Sequence, residues 1–179
     1  MVALEGTAGA PRVILRRRLE LLEVRQPYHA AAKMQLGEAE EFLALCRQDA
    51  HAAASHGLRC ALQEIGQKGY QLVGACVLLG SGRNVTDLKT ILGSNPLLHT
   101  ADGVFVRDAL LSACASCDVA VRGVKEKEAG ETAVKALRLS LDELERRIAD
   151  LGSLIGPPWT QDQKLSAMGA WIVLADQAP

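Results

Sequence analysis

Between Tyr70 and Leu79 the chain carries a near-continuous apolar run, containing Leu72, Val73, Cys76, Val77, Leu78 and Leu79, and Gly80-Ser81-Gly82 closes it. A strand exposed on one face alternates apolar and polar residues, so a strand without alternation is covered on both faces. The run therefore predicts the centre of an α/β sheet with helices above and below. A chain of 179 residues is about one domain and buries roughly 70% of its surface on folding. With 49% hydrophobic residues but only two each of Trp, Tyr and Phe, its core must be built from Leu, Val, Ile and Ala.

Other segments fill out that frame. Residues 2–5 read as a short strand, 7–11 as a turn and 12–24 as a long strand, close enough to form a hairpin. Arg25-Gln26-Pro27 breaks the pattern, and Tyr28 to Leu36 fits either a third strand or the start of a helix. A long helix is expected from Gly37 toward Gln67, its early acids Glu38, Glu40 and Glu41 suiting the positive end of the helix dipole. Short helices follow near 86–92 and 102–116, then a strand over 118–124. Ser140 to Glu143 and Thr160 to Gln163 read as capping boxes, and Gly156-Pro157-Pro158 separates the two helices they open. This order predicts a mixed sheet of about five strands flanked by helices, in one domain over 1–179 with a helical insertion around 128–156.

Charge excludes some functions. Lys plus Arg number 20 against 21 Asp plus Glu, so a net charge of −1 offers no global attraction to nucleic acid or acidic membrane. The longest apolar stretches fall far short of the ~20 residues that span a bilayer, and no charged-then-apolar leader opens the chain, so a cytoplasmic protein is expected. The five cysteines are read as reduced. Cys114-Ala-Ser-Cys117 has redox spacing, but it lies near a helix end and no second pair completes a zinc site.

The chemistry-bearing candidates are acids. Glu5 ends the first strand, Glu126 and Glu128 follow the last, and Asp162 opens the final helix. Loops leaving the carboxyl ends of parallel strands share one crevice, so these four carboxylates are expected to converge there. Like charges held together raise one another's pKa, and Mg²⁺ or Mn²⁺ would relieve the repulsion. The plainer reading makes Glu126 and Glu128 a solvated strand end and Asp162 a helix cap. Arg83 after the Gly-Ser-Gly turn and His99 before a helix are candidate phosphate contacts, and Arg16 and Arg18 read as the charges of a protected edge strand.

The strand order, Val2-Ala3-Leu4-Glu5-Gly6-Thr7, the run from Leu72 to Gly82, the strand from Val119 to Glu126 and the tail from Asp162 to Ala170 resemble the ribonuclease H-like superfamily, in its RuvC-type resolvase and YqgF-type nuclease branch. The resemblance implies a divalent-metal-dependent nuclease that hydrolyses phosphodiester bonds. Glu5, Glu126 and Asp162 would be catalytic, with Glu128 an added metal ligand, Arg16 and Arg18 phosphate contacts, nucleic acid the partner and a homo-oligomer compatible. Glu5 stands where the family has aspartate, Gly80 where resolvases carry an acid, and Ser166 where a second aspartate is expected. The alternative is therefore a catalytically degenerate relative serving as a binding or assembly module.

Overall fold

At Gly6 a Cβ would lie 2.5 Å from the Ala10 carbonyl oxygen, and φ is +97°, so only glycine suits the approach of β1 (Val2–Thr7) to β2 (Ala10–Arg16). The two strands form an antiparallel hairpin, Val2 opposite Arg16 and Thr7 opposite Ala10, with an irregularity between Ala3 and Leu4. The computed structural model describes residues 1–82 and 85–177.

The long strand expected over 12–24 stops at Arg16. Its partner strand covers only Val2 to Thr7, and the pairing closes with Arg17 N donating to the Met1 carbonyl at 3.0 Å. The leucines beyond serve a different purpose. Leu21 and Leu22 pack on Cys46, Ala50 and Phe105, and Leu19 fills the space that a side chain at Gly57 would need. The segment from Tyr28 is helical: Pro27 sits at the start of α1 (Pro27–Ala31), where its missing N–H costs nothing. Gln35 and Glu38 then form a reciprocal capping box at the start of α2 (Leu36–Gln67).

Small residues govern the first helical layer. α2 turns Cys46, Ala50 and Ala54 inward and α4 (Asn95–Ser116) answers with Phe105, Ala109 and Ala113, while Ala39 and Leu43 of α2 pack with Ala31 of α1. Alanine at these contacts lets the two backbones come close. Between them in sequence lie β3 (Ala75–Leu79) and the short α3 (Leu88–Leu92), and β4 (Val121–Lys125) follows α4. β3 and β4 pair in parallel, Ala75 opposite Val121 and Leu79 opposite Lys125, joined by the helical crossover that parallel strands require.

The five-stranded mixed sheet is thus corrected: the described residues form two separate two-stranded sheets, β1-β2 and β3-β4, and are mainly helical. The apolar run misled because only its second half is strand. Leu72 and Val73 precede β3, and Val73 is exposed. A 3-10 turn (Glu126–Glu128) leads into α5 (Ala129–Leu137), α6 (Leu141–Ile155) and α7 (Gln161–Asp176). α5 and α6 belong to the main core. Ala129, Ala133, Leu144, Ile148 and Leu151 pack with Ala167, Trp171 and Ile172 of α7 and with Val2 and Val124. Among the described residues no helix is long and apolar enough to cross a membrane.

Candidate functional site

α7 reveals which strand ends share a crevice. Trp171 Nε1 donates to the Ala8 carbonyl at 2.9 Å, beyond the end of β1, whereas Asp162, at the start of α7, acts electrostatically on the Met1 amine at the start of β1. β1 and α7 therefore run in the same direction. β3 runs the other way: Gly169 lies against Cys76, Val173 against Gly74, and Gln161 with Leu165 beside Gly80. β1 is consequently antiparallel to β3 and β4, and its carboxyl end points away from theirs. Four residues of strand separate Glu5 from Met1, about 13 Å along β1.

The acids are correspondingly divided between the two ends of β1, and Glu5, Glu126 and Glu128 each pair with a cation. Glu5 pairs with Arg12 across the hairpin, Glu126 lies 3.7 Å from Arg107, and Glu128 lies 3.1 Å from Lys125. Burial pushes the Met1 amine down, with Asp162 partly offsetting it. Glu126 and Asp162 lie toward one end of the molecule; Glu5 does not join them. Among the described residues no three His, Cys, Asp or Glu side chains are grouped to hold a metal ion.

At the carboxyl ends of β3 and β4 lies an open cavity of about 440 Å³, lined by Gly80, Ser81, Arg107, Glu126, Lys127 and Gln161 among others. Arg107 organises it. Its Nε donates to the Leu78 carbonyl at 2.8 Å, and the guanidinium rests between two glycines. A Cβ at Gly80 would be 2.8 Å from Nη1, and one at Gly103 would be 2.7 Å away. The side chain keeps 25% exposure, and its one carboxylate neighbour is at ion-pair distance without a tight hydrogen bond. Among the described residues the two terminal guanidinium nitrogens donate no hydrogen bond, an arrangement that suits an anion with a planar or tetrahedral oxygen face.

Farther toward the start of α4 a second polar group forms. Asp102 Oδ1 accepts from Tyr28 N at 2.8 Å, and Oδ2 lies 2.6 Å from His29 Nδ1. The His99 ring centre is 4.4 Å from that of His29. His99, Gly103 and Arg107 follow at intervals of four residues, so they share one ridge of α4. Thr100 on the same turn fills the space beside Gly82, which brings the Gly80-Ser81-Gly82 loop against this ridge.

The remaining candidates have structural partners. Arg16 Nη1 donates to the carbonyls of Gly156 at 2.8 Å and Pro158 at 2.6 Å, tying β2 to the loop before α7. Arg18 pairs with Glu20 at 2.7 Å in an exposed loop, and Arg83 lies outside the described residues. All five cysteines are free, and burial raises the thiols of Cys46, Cys76 and Cys114. Sequence reasoning passed over Arg107 and Asp102. The available signal was the pair of glycines, Gly80 and Gly103, whose open side only the fold connects to one arginine. Compared with family models, curated proteins and solved structures, the chain shows no match.

Proposed function

We propose that the chain is a binding module for a phosphate-bearing ligand, received at the carboxyl ends of β3 and β4. Arg107 carries the reading. A guanidinium restrained by the Leu78 carbonyl between Gly80 and Gly103, with the Glu126 carboxylate loosely placed beside it, is pre-organised for an oxyanion. The placement at parallel strand ends supports it, as do Lys127 and the Gly80-Ser81 backbone in the same cavity.

Inorganic phosphate and a short single-stranded oligonucleotide, titrated by calorimetry, test the proposal. Arg107→Ala should weaken phosphate binding at least tenfold, and Arg107→Lys should recover only part, because an ammonium cannot make the forked contact. Equal affinity in wild type and Arg107→Ala would overturn it. One observation favours metal-dependent phosphodiester hydrolysis as a second reading: Glu126 lines the same cavity, and Asp162 follows Gln161 at its mouth. There, Mg²⁺ or Mn²⁺ should raise the melting temperature of wild type and not of Glu126→Gln.

A further inference from the structure

Where α1 meets α4, His29 binds Asp102, the buried charged residue of the described core at 8% exposure, and His99 stands beside His29. Burying a carboxylate is costly unless it is fully engaged. Asp102 meets that condition with Tyr28 N at 2.8 Å and His29 Nδ1 at 2.6 Å. Capping α1 accounts for the first contact only. The second occupies His29 Nδ1 and leaves Nε2 as the ring nitrogen available to a ligand. A carboxylate on one ring nitrogen is the usual outer partner of a histidine that ligates through the other.

His99 supplies the second donor. Its ring centre lies 4.4 Å from that of His29, with the planes inclined at 55° rather than stacked parallel. Two imidazoles on one tetrahedral ion, each with a metal–nitrogen bond of about 2.0–2.1 Å, have ring centres about 5 Å apart. His99 is exposed, so its ring is accessible to an entering ion.

We propose that His29 and His99 form a two-nitrogen site for a divalent first-row transition ion such as Zn²⁺, with Asp102 orienting His29 and water or an anionic ligand completing the coordination. Imidazole donors favour Zn²⁺, Cu²⁺ or Ni²⁺ over Mg²⁺. Two protein ligands leave the ion open to solvent and ligand. The site uses none of the residues that line the Arg107 cavity, so it stands or falls separately from phosphate binding.

The test is titration of the full chain with Zn²⁺ alone, followed by calorimetry and by the ring ¹H–¹⁵N resonances of the histidines. The His29 and His99 rings should shift together. Affinity should fall at least a hundredfold in His99→Ala, and about 10–100-fold in Asp102→Asn. Because Asp102 also caps α1, a melting curve accompanies that variant, and the exposed His99 is the decisive position. The rival thiol site is His56 Nε2, 3.6 Å from Cys60 Sγ. Cys60→Ser should leave affinity unchanged. Wild-type affinity in His99→Ala, a response centred on His56, or no ring shift at millimolar Zn²⁺ would each overturn the proposal.

Discussion

Gly152→Ala is a severe test of the packing between α6 and the loop that leads to α7. A Cβ at position 152 would overlap the Trp159 indole, lying 2.5 Å from Nε1. The ring has little freedom to withdraw, because that same Nε1 donates to the Ile148 carbonyl at 2.9 Å. Moving it to ordinary contact distance breaks the hydrogen bond, leaving a partly buried donor unsatisfied at about 1–3 kcal/mol. Overpacking adds roughly 1–3 kcal/mol, and the better helix propensity of alanine returns about 1 kcal/mol. The net loss is about 3 kcal/mol, within a range of roughly 1–5 kcal/mol. Urea unfolding followed by circular dichroism should show a midpoint lower by roughly 1 M, taking a slope of about 2–3 kcal/mol/M. Trp159→Ala in the same background should cancel most of the steric part, so the double-mutant cycle should show strong coupling. A Gly152→Ala protein as stable as wild type, or additive costs in the cycle, would refute the seating of the indole against α6.

Gly103→Ala should separate stability from binding: its Cβ would lie 2.7 Å from Arg107 Nη1, displacing the guanidinium, while alanine favours the helix. Phosphate affinity should fall at least tenfold by calorimetry with the melting temperature unchanged or higher. Thr160→Ala removes the acceptor for Gln163 N in the α7 capping box and should cost about 1 kcal/mol in urea unfolding. Hydrogen bonding from Lys68 holds the Glu64 carboxyl below its ordinary range, and that from Arg147 and then Arg146 does the same for Glu143. The unfolded chain takes up these protons first as pH falls, so the stabilisation is complete above the ordinary glutamate pKa of about 4.3 and is lost below it. Urea midpoints measured from about pH 6 down to about pH 3 should fall less steeply in Glu64→Gln/Glu143→Gln than in wild type.

Local signals in the sequence were readable where local physics decided the outcome. Thr160 and Gln163 form their reciprocal box, and Ser140 accepts from Glu143 N. The Glu143 side chain instead takes Arg146 and Arg147, so only half of that expected box forms. Direction was less legible. Nothing in Val2-Ala3-Leu4-Glu5 says whether β1 runs with or against β3, yet that choice points Glu5 away from the crevice at the carboxyl ends of β3 and β4. The leucines after Arg18 illustrate the same limit, since an apolar residue that extends a strand and one that caps a helix groove look alike in sequence. Arg107 was hidden because its significance comes from two glycines 23 residues apart meeting on either side of it.

α7 touches both two-stranded sheets, through Trp171 at Ala8 and Gly169 at Cys76. A ribbon of two strands is barely stable by itself in water. The amides of Val2–Thr7 and Ala75–Leu79, which share no ladder, should therefore exchange with solvent through a common opening, the undocking of one helix. Protection in one sheet becomes a gauge of the other, and the molecule's two separate sheets behave as a single cooperative unit.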